Sequence, residues 1–357
     1  MLNNKTHHKI AHVVGSLNVG GAERFVIDLC VTQKSQGFKS QIVSLGQPGE
    51  QLEQECKSQG IEFFSSKLPN SIKLLKMYFW LRKFDVVHIH TPHGLKFLFP
   101  ILSLLNKRII YTRHGAAPLA AGHWKKLHVK AQSFISAITF VSQEGMDNFQ
   151  NQHCWSETSS HVIDNGVLIT PIQRAPKTID KLRVGSVGRM IPLKNQIGLL
   201  RAIALMSEEF KPQVEAHFFG NGQCEKELKD FARSDLKDVN ICFHGMVSDR
   251  EKIYSSFDLL VVTSETEGLS MVIIEAMANK IPVIATNVGG NPKLVKPNQT
   301  GWLFEYGDDQ QLSQLIKENI SPSDGLQQIG EQAANYIKDN FSIEGSAKKY
   351  AELYLSQ

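Results

Sequence analysis

Two carboxylates, Glu267 and Glu275, stand eight positions apart in Ser264-Glu-Thr-Glu-Gly-Leu-Ser-Met-Val-Ile-Ile-Glu-Ala-Met-Ala278, one in a loop and one inside the apolar run that follows. The run 269–278 reads as a helix. Its first turn, preceded by Gly268, offers backbone N–H groups that lack an intrahelical partner and a dipole that favours an anion. By the spacing of three and four, Glu275 falls on the face of Met271 and Val272, from which a carboxylate can accept hydrogen bonds from vicinal hydroxyls. A ligand carrying both phosphate and hydroxyls, a sugar nucleotide, suits this pair. The cations it needs lie upstream in Gly188-Arg189-Met-Ile-Pro-Leu-Lys194, between a strand-like run at 182–187 and a helix expected at 195–206. Arg189 brings a planar fork for bidentate phosphate contact and Lys194 a compact charge.

Those side chains must be positioned by a framework. In the first half, apolar runs at 9–14, 40–45, 61–64, 86–90, 108–112, 137–141 and 161–163 alternate with helical patterns at 21–35, 50–58, 72–83, 93–105 and 119–133. Alternation at this spacing predicts an α/β chain with parallel sheets. Residues 170–181, with Pro171 and Pro176, read as a linker, after which strands at 182–187, 214–219, 239–243, 258–263 and 282–285 form a second series. The expected domains are 1–172 and 173–342, with a last helix at 343–357. In open parallel sheets ligands sit at the carboxyl ends of strands, and the singled-out motifs all fall there.

Gly-Arg-x4-Lys followed some eighty residues later by Glu-x7-Glu, then by Ile281-Pro-Val-Ile-Ala-Thr286 and Gly289-Gly-Asn-Pro292, resembles the C-terminal half of the family 4 retaining glycosyltransferases. Gly20-Gly-Ala-Glu-Arg24, Thr112-Arg-His-Gly115 and Asp164-Asn-Gly-Val167 extend the resemblance over the N-terminal half, although Leu168 and Ile169 stand where that family usually has an acid. The resemblance implies the GT-B architecture, two facing Rossmann-like doubly wound domains with a cleft between them, the first binding acceptor and the second donor. It implies transfer of a hexose or N-acetylhexosamine from a nucleoside diphosphate sugar, in the first place a UDP-sugar, to a hydroxyl of a glycan or lipid-linked acceptor in a bacterial surface glycan such as lipopolysaccharide or capsule. It places His114, Glu267, Arg189 and Lys194 in catalytic roles. Donor binding is assigned to Gly20, Gly21, Arg189, Lys194, Met246, Glu267, Gly268, Leu269, Ser270, Met271, Val272 and Glu275, and acceptor contact to His90. The last helix is expected to return to the first domain. A 2-epimerase of the same fold and a noncatalytic glycan-binding homologue are the alternatives.

Gly15-Ser-Leu-Asn-Val-Gly-Gly21 lacks the Lys-Ser/Thr of a P-loop and the spacing of a dinucleotide fingerprint, which removes the motif for NTP hydrolysis and hydride transfer. His88, His90 and His93 follow a strand without a carboxylate or thiolate beside them, and no Asp-x-Asp occurs, so neither a metal nor another cofactor is expected. The five cysteines, Cys30, Cys56, Cys154, Cys224 and Cys242, are scattered without Cys-x2-Cys spacing and predict neither a disulfide framework nor structural zinc. No apolar run approaches the ~20 residues of a spanning helix, and a cytoplasmic protein is expected. Residues 1–175 hold 19 Lys and Arg against 11 Asp and Glu, whereas the remainder holds 20 against 24. The basic half interleaves its charges with long apolar side chains at 72–84 and 124–130. That favours peripheral contact with an anionic bilayer, through Lys73, Lys76, Arg82, Lys83, Lys125, Lys126 and Lys130, over nucleic acid.

Overall fold

The computed structural model describes residues 8–115, 122–153, 155, 160–169, 172, 181–320 and 324–356. The chain divides into two compact units, Met1–Gly166 with Ile343–Gln357, and Val167–Ser342. The division thus falls at Gly166 rather than after residue 172, and most of the expected linker lies outside the described residues.

In the first unit, β1 (Lys9–Val14), β2 (Lys39–Ser44), β3 (Phe63–Phe64), β4 (Val86–Ile89), β5 (Arg108–Arg113), β6 (Ala137–Phe140) and β7 (Ser160–Val162) form one sheet. All its pairings are parallel, in the order β3-β2-β1-β4-β5-β6-β7. β4 is buried throughout and β1 from its second residue on, the mark of strands covered on both faces. The helix expected at 93–105 is interrupted. Pro92–Leu98 and Leu102–Leu105 are separated by a 3₁₀ turn at Phe99–Ile101, because Pro100 has no N–H for the ladder. The C-terminal helix Ile343–Leu355 lies against the helix Gly21–Ser35 and buries Tyr350 and Tyr354, the latter's hydroxyl 2.7 Å from His88 Nδ1.

The second unit repeats the plan with β8 (Leu182–Val187), β9 (Val214–Phe219), β10 (Asn240–Gly245), β11 (Leu259–Val262), β12 (Val283–Thr286) and β13 (Gly301–Phe304), in the parallel order β10-β9-β8-β11-β12-β13. β13 was not expected, since Gly301 and the turn before it break the apolar run. In each sheet the strand order reverses beside the first strand, between β1 and β4 and between β8 and β11. The connections leave there in opposite directions and open a crevice at the carboxyl ends.

Candidate active site

In the second unit the switch point carries the charged residues. Gly188 ends β8 with φ of 150°, and Gly220 passes so close that a Cβ on it would collide with the Gly188 carbonyl. This crossing turns Arg189 out of the sheet. Its carbonyl accepts from Gln196 Nε2 at 3.0 Å, while the guanidinium is exposed and forms no ion pair among the described residues. A 3₁₀ turn, Pro192–Lys194, replaces the start of the helix expected at 195–206, which begins only at Ile197 because Asn195 takes left-handed φ.

Lys194 Nζ lies 2.6 Å from Glu267 Oε1, and Ser264 Oγ donates to the same oxygen at 2.7 Å. The two loops are also stitched through the backbone. Thr263 Oγ1 donates to the Lys194 carbonyl at 2.9 Å and Glu265 N to the Leu193 carbonyl at 2.9 Å. Glu267 Oε2 makes no hydrogen bond among the described residues and is the acceptor left for a ligand hydroxyl. Behind the loop, Gly289 and Gly290 press against the Glu267 and Gly268 carbonyls, where any Cβ would clash.

The structure corrects the picture of Glu275 as an open ligand. It is buried, takes a hydrogen bond on Oε2 from the Tyr254 hydroxyl at 2.5 Å, and has Arg250 Nε 3.2 Å from Oε1. Arg250 and Tyr254 were missed. They sit four apart on the helix Arg250–Tyr254, N-capped by Asp249, and that spacing puts both on one face. Gly268, Leu269, Ser270 and Met271 are buried too, with Val272 and Met246 half-buried.

In the first unit, Gly20 caps the helix Gly21–Ser35 in extended conformation, and the Glu23 carboxylate folds over it. The loop before it is held by Glu50, another residue sequence reading missed. Its oxygens accept from Leu17 N at 2.5 Å, Gln47 N at 3.1 Å and Asn18 Nδ2 at 3.3 Å.

His114 and His90 belong to a buried line of rings. Gln33 Oε1 faces His12 Nε2 at 2.9 Å, His12 Nδ1 faces His90 Nε2 at 3.0 Å, and His90 Nδ1 faces His114 Nε2 at 3.0 Å. With the amide oxygen toward His12, each neutral ring must donate through Nε2 and accept through Nδ1. His114 Nδ1 then ends the line as an acceptor, near Asn165 but without a well-formed hydrogen bond to it. Loss of hydration on burial drives His12 and His114 down to about 4 and His88 and His90 well below the ordinary histidine value. These rings are neutral at neutral pH. His93 is not among them, being exposed and packed on Trp124, while His12, three strand positions after Lys9, takes its place.

A cation-bearing turn and a carboxylate-bearing loop thus meet at the switch point of a Rossmann-like sheet, an arrangement for a phosphorylated, hydroxylated ligand. Residues 170–336 match the glycosyl transferases group 1 family and residues 19–169 match Glycosyltransferase Family 4. An uncharacterized glycosyltransferase of Methanocaldococcus jannaschii is 30% identical over 306 residues, 81% of each chain. The chain belongs to the group 1, family 4 glycosyltransferases. The capsular polysaccharide biosynthesis glycosyltransferase CapH of Staphylococcus aureus is 26% identical over 302 residues, covering 80% of this chain and 83% of that one. Among solved structures, Anabaena HepE in complex with UDP and glucose superposes with a TM-score of 0.87 at 22% identity, covering 98% of this glycosyltransferase and 100% of HepE, which shows the GT-B fold.

Proposed function

We propose that this glycosyltransferase transfers a hexosyl or N-acetylhexosaminyl group from a UDP-sugar to a hydroxyl of a glycan or lipid-linked acceptor, with retention at the anomeric carbon and without a metal ion. The observation that carries this reading is the meeting of Arg189 and the Lys194–Glu267 pair at the ends of β8 and β11. When the bond between the anomeric carbon and the diphosphate breaks, negative charge grows on the leaving oxygen. Arg189 and Lys194 neutralise it from fixed positions, a contribution typically worth a few kcal/mol per donor. The acceptor oxygen bonds to the anomeric carbon on the face the diphosphate leaves, and its proton passes to a phosphate oxygen. No carboxylate nucleophile is required.

Glu267 Oε2 accepts from a sugar hydroxyl, and the family resemblance gives His114 of the first unit its catalytic role. Glu275, braced by Tyr254 and Arg250, stands beneath the nucleotide ribose. The part of CapH in capsular polysaccharide biosynthesis supports a surface glycan as product. Peripheral membrane contact belongs to the same proposal: Ile72, Leu75 and Phe79 are 47%, 58% and 58% exposed at helical spacing on Asn70–Leu81. Lys73 does not take part, because it is buried with Nζ donating to the Leu45 carbonyl at 3.0 Å. Among the described residues no helix is long and apolar enough to cross a membrane.

Calorimetry with UDP beside a transfer assay tests the reading. The cations and Glu267 all lie in the second unit, so His114→Ala should keep UDP affinity within about threefold, well under the 1.4 kcal/mol that makes a decade, while lowering turnover far more. Equal loss of both, or of neither, would reduce His114 to a structural residue. Transfer should persist in EDTA, and activity that vanishes there and returns with Mg²⁺ would reject the metal-free mechanism.

A further inference from the structure

We propose that His217, Cys242 and His244 form a binding site for a thiophilic divalent d-block cation, Zn²⁺ foremost, on the outer two strands of the second sheet. β9 reads Val-Glu-Ala-His-Phe-Phe and β10 Asn-Ile-Cys-Phe-His-Gly. Residues two apart on a strand share a face, and the parallel register sets Cys242 beside His217 and Asn240 beside Glu215. Glu215, His217, Cys242 and His244 therefore rise from one side of the pair. His217 Nδ1 and His244 Nε2 are 3.0 Å apart, and the ligand atoms of the three residues all lie within 4.8 Å of one another. Bonds of roughly 2.0–2.3 Å from a tetrahedral Zn²⁺ to nitrogen and sulfur need such ligand atoms about 3 to 4 Å apart, within reach of small side-chain rotations.

The surroundings are those of a metal site. Two ring nitrogens at hydrogen-bond distance share one proton, and a cation can replace it. Zn²⁺ takes both lone pairs when the proton on the His244 or His217 nitrogen moves to the far nitrogen of its ring, and the Cys242 thiol proton leaves to solvent. Glu215 Oε1 lies 2.9 Å from His217 Nε2, the nitrogen facing away from His244, where a carboxylate orients a ligating ring and raises its basicity. The Phe219 ring stacks on His244 at 4.3 Å and 8°, restraining it. His244 is exposed, so water can complete the fourth position.

The buried triad His12, His88 and His90 offers no such set. His12 Nε2 is engaged by Gln33, both nitrogens of His88 are taken by Tyr354 and Thr112, and no thiolate is present. The surface site also has a path to the donor end of its unit. Gly220 N donates to the Gly245 carbonyl at 2.7 Å and Gly188 N to the Phe219 carbonyl at 2.9 Å, so a cation joining β9 to β10 braces the turn that carries Arg189.

The test uses the full chain, untagged and stripped of metal, titrated with Co²⁺ and then Zn²⁺. One equivalent of Co²⁺ should give a thiolate-to-cobalt absorption band that Zn²⁺ abolishes, and Zn²⁺ should raise the unfolding temperature. Cys242→Ser should lose the band, His244→Asn should weaken Zn²⁺ more than about tenfold, and Glu215→Gln should weaken it by about tenfold. Cys224→Ser, altering another half-buried thiol of the unit, should change nothing. Circular dichroism checks that each variant folds. A band that survives Cys242→Ser, Zn²⁺ affinity unaltered in His244→Asn, or no stoichiometric binding by the unaltered chain would overturn the proposal.

Discussion

Mild acid should destabilise the first unit through its histidines. His12, His88 and His90 are fully buried, and loss of hydration holds His12 down at about 4 and His88 and His90 well below the ordinary histidine value of 6.5 that the unfolded chain keeps. Because the folded value is the depressed one, their contribution is complete above pH 6.5 and is lost as pH falls, the unfolded chain binding protons that the native chain refuses. At pH 5.5 each ring stands one unit below its unfolded value while remaining neutral when folded, which costs about 1.4 kcal/mol. The result is insensitive to how far each folded value falls, provided the ring is still neutral at pH 5.5. The three rings together should remove about 4 kcal/mol between pH 7.5 and 5.5, a large part of ordinary domain stability. Urea titrations can follow this unit alone: Trp80, Trp124 and Trp155 lie in it, and Trp302→Phe removes the one tryptophan of the other. A loss below about 1 kcal/mol would mean that these rings are hydrated or already charged in the native state, and the tautomer line through His114 would fall with it.

Arg189→Ala and Lys194→Ala should each lower turnover by about a hundredfold or more with an unchanged circular dichroism spectrum; near-normal turnover in both would sink the site. Gly290→Ala should cost about 1–3 kcal/mol in urea unfolding and weaken UDP in calorimetry, because its Cβ must displace the Gly268 carbonyl. On vesicles, the chain should co-sediment with anionic but not neutral lipid, less so at high salt, and L75D/F79D should abolish pelleting; equal pelleting with both lipids would make Asn70–Leu81 an ordinary surface helix.

Much of the framework was legible because a parallel strand buried on both faces is a largely apolar run, as Leu259–Val262 is throughout. The placing of polar residues at strand ends was legible for a related reason: Arg189, Lys194, Glu267 and His114 stand where an apolar run stops. Pairings across long sequence distances were not. His12 reads as one polar interruption of a core strand, and only the β1–β4 register brings it beside His88 and hence His90, seventy-eight positions on. Glu275 looked available because helical spacing gives its face but not its neighbours, and Arg250 and Tyr254 arrive on a separate five-residue helix. Lys73 looked basic and exposed for the same reason. A carbonyl from the end of β2 waited for its ammonium group inside the unit.

The proposed chemistry makes two opposite electrostatic demands. Departure of a diphosphate leaves negative charge on oxygen and positive charge spread over the anomeric carbon and ring oxygen. Arg189 and Lys194 serve the first; the exposed Arg189 approaches a dianion with little desolvation cost, and the half-buried Lys194 is held in place by Glu267. An imidazolium serving the second would repel it. Burial of the ring line keeps His114 neutral, and the direction imposed through Gln33, His12 and His90 leaves it a lone pair rather than a proton to present. On this reasoning Gln33 matters to turnover from the far end of a chain of three hydrogen bonds, since turning its amide would reverse every donor along the line and make His114 Nδ1 a donor where an acceptor is wanted.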